Sequence, residues 1–221
     1  MKKTMILLTK SRKNKGYCTA GIDLESGEWI RIVSDEIECI SNEMLDRHLR
    51  YSNGSEAQIL DKIEIECKGY ELNYHQPENY VFDSSINIHK IGNGSLDKVL
   101  KIHPFENKNF IFYDTGYSIH CDRINSIKPG DRYSLILIKV TDPQVDVKTW
   151  GNESRTVTLN FIYNFRTYRY FRITDGFENK YKREKPDGIY TLPGDYALVI
   201  SLGDLYKDNK HYKLVSKIFS L

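Results

Sequence analysis

The stretch SRTVTLNFIYNFRTYRYFRITD, residues 154–175, alternates apolar and polar side chains, pauses near Asn164-Phe165, and alternates again. A helix returns to the same face every three or four residues, and a strand every two, so the pattern predicts two β-strands joined by a turn. The same period runs elsewhere. Ile63, Ile65 and Cys67 alternate with Glu64, Glu66 and Lys68. GYCTAGIDL and WIRIVS flank an ESG turn, a hairpin signal. TMILLTK, INIHKI, KNFIFYD, GYSIHCDRI, SLILIKVTD, GIYTLPGDYALVISLG and HYKLVSKIF also read as strands. Helical signals are few. Residues 42–49 carry weak helical spacing. SLDKVLKIH places Leu96, Val99 and Leu100 on one face behind a capping Ser95, with His103-Pro104 as the stop. YHQPENYVF reads as a loop, because Pro77 cannot donate to a ladder. Many short strands with close turns and one or two short helices predict an all-β barrel or sandwich.

A second pattern divides the chain. WIRIVSD (residues 29–35) and YFRITD (residues 170–175) match as aromatic, apolar, Arg, Ile, hydroxyl and Asp once one residue is skipped. Each follows a hairpin-like turn. Within 221 residues this points to two copies of a small barrel, and the five-stranded OB barrel suits a copy of that size. The expected domains are residues 1–104, with the short helix near their end, and residues 105–221. The boundary is sought near residues 103–108.

Charge narrows the partners. The formal net charge is +2, so a nucleic-acid surface must be a local groove and not a basic coat. Sixteen tyrosines fit half-exposed sheet faces and also supply stacking surfaces. Cys18, Cys39, Cys67 and Cys121 are too scattered for a zinc ribbon and read as reduced. No H-E-x-x-H, phosphate-loop or nucleophile-elbow motif is present, so neither metal nor cofactor is expected. The opening MKKTMILLTK is too short for a signal-peptide core and no stretch is long enough to span a bilayer, which predicts a cytoplasmic protein without membrane contact.

TKSRKNKGYCTAGIDLESGEWIRIVS, followed in order by HQPEN, LILIKVTDP, FRITD, YALVISLG and YKLVSKIF, resembles the dual OB-containing domain family of bacterial proteins. The resemblance runs from about Lys3 to Phe219. Ile32 and Gly176 stand where the family pattern has proline, which concerns backbone shape more than chemistry. The resemblance implies two fused OB folds. It also implies nucleic-acid or nucleotide binding, in a setting of bacterial defence or DNA handling.

The residues themselves offer three candidate surfaces. The loop KSRKNKG carries Lys10, Arg12, Lys13 and Lys15 beside Gly16, where cations would meet phosphates and the glycine would allow close backbone approach; a solvated basic turn explains it equally well. Alternation puts Trp29 and Arg31 on one face, as a stacking ring beside a cation, or else as a buried ring beside an arginine paired to an internal acid. HQPEN concentrates His75, Gln76, Glu78 and Asn79, which could converge with Arg172 and Asp175 in a pocket between the barrels or simply organise their own loop. Thr174 and Asp175 fit a side-chain-capped turn. YKREK (residues 181–185) is a second basic loop, more simply solvated surface. The leading expectation is a non-catalytic module binding single-stranded DNA or RNA through Lys10, Arg12, Lys13, Lys15, Trp29 and Arg31. A nucleotide or small-molecule sensor is the alternative. An enzyme built on His75 and Glu78, or a protein-binding adaptor, comes after these.

Overall fold

The computed structural model describes residues 1–151 and 154–221. It divides into two compact units, Met1–Pro104 and Phe105–Leu221.

In the first unit, β1 (Lys2–Lys13), β2 (Gly16–Asp23), β3 (Trp29–Val33), β4 (Asp61–Tyr70) and β5 (Asn79–Phe82) form a ring in the order β1-β2-β3-β5-β4-β1. β1 is long enough to serve two neighbours: Lys2–Ile6 pairs with β4, and Met5–Lys13 pairs with β2. β3 and β5 run parallel. This closed five-stranded order with one parallel pair is the OB barrel. Its core holds Met5, Leu7, Ile30, Ile32, Ile63 and Phe82. β6 (His89–Asn93) adds to the outer edge of β4, and α1 (Leu96–Ile102) follows, its Ser95 hydroxyl accepting from Lys98 N at 3.2 Å.

The second unit repeats the plan with a broken first strand. β7 (Ser118–His120) and α2 (Cys121–Asn125) precede β8 (Leu135–Thr141), and β9 (Gln144–Thr149) follows after a bend at Asp142-Pro143. β10 (Arg155–Tyr163) and β11 (Arg166–Ile173) lead into α3 (Phe177–Glu184), then β12 (Gly188–Thr191), β13 (Asp195–Leu205) and β14 (Lys210–Ser220). β8 pairs with β13, and β9 with β10, so β8 and β9 together do what β1 does alone. β12 and β13 bend in step with them: Leu192 N donates to Pro143 O, and Asp142 N to Gly194 O. β11 and β14 are the parallel pair. Among the described residues the chain is thus all-β with three short α-helices, built as two OB-like folds. Among the described residues no helix is long and apolar enough to cross a membrane.

Several local expectations change. Residues 108–114 are not a strand: Phe112 and Tyr113 take left-handed φ values of 47° and 73° and fold the segment into turns. GYSIHCDRI is half strand and half helix, because the His120 ring accepts from Asp122 N and caps α2. Residues 42–49 keep only a single 3₁₀ turn, Asp46–Leu49. NYVF is not loop but β5, starting just beyond Pro77. YKREK enters α3 through Tyr181–Glu184. That helix opens at Gly176, whose φ of 89° is closed to proline, fixed near about −65°.

Candidate nucleic-acid interface

The repeated string occupies the same place in both units. Trp29–Val33 is β3, and Tyr170–Ile173 ends β11, each antiparallel to the second barrel strand and parallel to the fifth. Arg31 and Arg172 are therefore equivalent, and the registers give each a row of directly opposed residues. In the first barrel the row is Thr9–Ala20–Arg31–Asn79, and in the second Asp146–Thr158–Arg172–Leu214. Opposed residues share one side of a sheet.

The first row is covered. Thr9, Ala20, Arg31 and Asn79 are each exposed by 2% or less. The Arg31 guanidinium donates to the Cys18 thiol at 2.7 Å, and its backbone N–H donates to the Glu78 carbonyl at 2.9 Å. Trp29, 7% exposed, meets the His103 ring edge-on at 5.5 Å, and that ring hydrogen-bonds the Gly27 carbonyl. Trp29 and Arg31 therefore present no stacking surface to a ligand. The basic turn is also partly engaged. Lys10–Lys13 belong to β1 and not to a loop. Lys10 Nζ donates to Glu56 at 3.1 Å, and Lys13 Nζ to the Ser41 carbonyl at 2.6 Å. The Arg12 guanidinium lies over the Tyr17 ring. Arg12 and Lys15 remain exposed. Gly16 serves packing: a Cβ there would stand 2.2 Å from the Met44 carbonyl oxygen.

Residues just ahead of HQPEN help to hold it. Asn73 Oδ1 accepts from the backbone N–H of His75 and of Gln76, and Glu71 accepts from the side chains of Asn79 and Asn42. His75, Gln76 and Asn79 are buried, and Glu78 is half-buried. Asp175, in the second unit, accepts from the backbone N–H of Phe177 and Ile218 and from Lys217 Nζ, as a capping turn requires.

Glu36, Cys39 and His48 approach one another closely enough to suggest a metal site. The histidine argues otherwise. His48 Nδ1 accepts from Leu45 N at 3.1 Å, so the proton sits on Nε2, which points at Glu36 3.1 Å away. A metal at Nε2 would need the opposite tautomer. Burial holds the His48 pKa below its usual value, in keeping with the neutral ring.

The second row is open. Asp146, Thr158 and Leu214 are half-buried and Arg172 is exposed. Asp146, Thr158 and Arg172 lie in a cleft of about 510 Å³ lined also by Lys148, Thr156, Trp150, Tyr117, Tyr170 and Tyr212. Threonines form a low floor, and aromatic rings rise around it. Tyr117 packs edge-on to Tyr170 at 6.4 Å and against Tyr212 at 6.1 Å, and Tyr206 extends the row from Tyr212 at 5.8 Å. Lys148 Nζ sits 4.3 Å from the Trp150 ring centre, and Trp150 Nε1 donates to Thr156. Arg172 has no ion-pair partner among the described residues.

Residues 3–218 match the family described as a dual OB-containing domain. The chain belongs to that family. No curated protein matches it. In OB folds the outer face of strands 2 and 3 and the adjoining loops take up oligonucleotides or oligosaccharides, and in this dual OB-containing chain only the second barrel keeps the arginine of that face open.

Tyr170 reaches the cleft through a bulge. Tyr168 points into the core, and strict alternation would send Arg169 outward and Tyr170 inward. Instead the β10–β11 register slips between Leu159 and Phe161, and Arg169 and Tyr170 both face out before Phe171 returns to the core. Asn160 Oδ1 accepts from Tyr170 N at 2.9 Å and holds the slip. Tyr170 takes a φ of 65°, a conformation that costs a bulky side chain on the order of 1 kcal/mol. Tyr170→Gly is expected to leave thermal stability unchanged or slightly raised while weakening ligand binding by about tenfold. Parallel melting and binding titrations check this, and a fall in both would show that the ring serves the fold.

Proposed function

We propose that the second OB barrel binds single-stranded nucleic acid, without catalysis, across the face that centres on Arg172. The reading is carried by one observation: the row that is sealed around Arg31 is open around Arg172 and ringed by tyrosines and a tryptophan. Arg172 and Lys148 would meet phosphates, and Trp150, Tyr170 and Tyr117 would stack bases, each stacked base contributing about 1–3 kcal/mol. The floor hydroxyls of Thr156 and Thr158 leave room for a base to lie flat. The cleft pairs no activated nucleophile with a base among the described residues, which favours holding a strand over cutting it. The proposed surface lies on the second barrel and not on the basic turn of the first.

Fluorescence polarisation with a labelled single strand across a salt series tests this. With two cations on the face, log K should fall against log salt with a slope of about −1.4. A duplex of the same sequence should bind more weakly, since stacking needs unpaired bases. Absence of binding at low salt would remove the reading.

A further inference from the structure

Asp146 is out of place in a groove for phosphates. It stands in the open row, directly opposed to Thr158 on β10 and to Ile189 on β12. Neither neighbour is a cation. Its carboxylate is half-buried, lines the cleft, and has no hydrogen-bond or ion-pair partner among the described residues. The nearest cation on the same strand face, Lys148, is turned over the Trp150 ring. A carboxylate so placed repels a phosphate and calls for ligand N–H donors.

Resting on the single-strand reading above, we propose that Asp146 makes this cleft selective for an unpaired guanine. Arg172 lies two strands away in the same row, about 10 Å at the usual strand spacing. A nucleotide laid along the row therefore has its phosphate end at the guanidinium and its base edge at the carboxylate. Trp150 and Tyr170 line the same cleft and offer ring faces to it. Guanine is the base whose pairing edge offers two adjacent donors, N1–H and the N2 amine, one for each carboxylate oxygen. Adenine and cytosine place an acceptor nitrogen beside a single amine. Thymine and uracil flank one N–H with two carbonyls. Each of these turns at least one lone pair toward Asp146, and two-point hydrogen bonding of this kind discriminates by about 1–3 kcal/mol, or roughly 5- to 150-fold.

The test uses the full chain and oligothymidine strands that differ at one central position, G, inosine, A, C or T, in competition polarisation. Guanine is expected to bind at least fivefold tighter than A, C or T. Inosine, which lacks the N2 amine, should fall between. Asp146→Asn should erase the guanine advantage while its melting temperature matches the parent; Asp146→Ser serves if the asparagine variant is poorly folded. Equal binding of all five strands, with the salt dependence intact, would overturn the guanine assignment and leave the single-strand reading standing. A uniform gain in affinity for every strand in Asp146→Asn would do the same, marking the carboxylate as a plain repulsive charge. No binding of any strand would overturn both.

Discussion

Arg172→Glu is expected to weaken single-strand binding by about 100-fold and to leave the melting temperature of the protein where it was, whereas Arg31→Glu is expected to destabilise the first barrel by at least about 3 kcal/mol. The two positions are equivalent in strand, register and residue type, so the contrast isolates their surroundings. At Arg172 the guanidinium is exposed, and surface substitutions usually change stability by less than about 0.5 kcal/mol. Losing a charge-assisted contact to phosphate and gaining a repulsion costs affinity of about 3 kcal/mol. At Arg31, 2% exposed, a carboxylate would be shut in with no route to water and would face the space that the guanidinium fills beside Cys18. Denaturant titration and polarisation on both variants decide it. Similar outcomes at the two sites would refute the division of labour between the barrels.

The other large effect is expected at Lys213. This lysine lies beneath the tyrosines of the cleft with a fully buried side chain. Its ammonium donates to the Ile111 carbonyl at 2.6 Å, the Asp114 carbonyl at 2.9 Å and the Asp114 carboxylate at 2.5 Å, and its backbone N–H donates to the Tyr117 carbonyl. It thereby ties the segment carrying Tyr117 to β14. Burial pushes its pKa down to about 8, against the partial support of Asp114. Above that pH the folded protein gives up a proton that the unfolded chain holds until about pH 10.5. The unfolded state then binds more protons, so this group makes the fold more stable as pH rises from 8 to 10.5, by up to roughly 3 kcal/mol in all. Lys213→Met should be less stable than the parent at pH 7 by about 1–3 kcal/mol, because the Ile111 and Asp114 carbonyls lose their donor. The gap should widen with pH through that window, and the variant should bind strands more weakly throughout. Denaturant titrations of both proteins at several pH values measure it, and parallel curves would show that Lys213 titrates normally.

The architecture was largely readable because it rests on local rules. The period-two runs, the turn at Asn164-Phe165 and the Ser95 cap depend on neighbours in sequence, and the echo of Arg31 at Arg172 pointed to two copies of one barrel. The site was less readable because burial is a long-range property. Lys10 and Lys13 look free in the string KSRKNKG, yet they meet Glu56 and Ser41, dozens of residues on. Trp29 is covered by His103 from the far end of its unit. In β11 a trace of the bulge was visible: Tyr168 and Phe171, three apart, both belong to the core, a spacing that no regular strand provides. Asp146 carried no signal at all in sequence, since its meaning comes from the row that it shares with Arg172.

On the proposed reading, the sealed row in the first barrel also sets a valency. A chain with two OB folds invites the expectation of two footholds on one strand, with the second contact made cheap by tethering to the first. With Thr9, Ala20, Arg31 and Asn79 all inside, that face of the first barrel offers no foothold. On this account each chain grips one short stretch of strand, and coverage of a long one would have to come from many chains lying side by side.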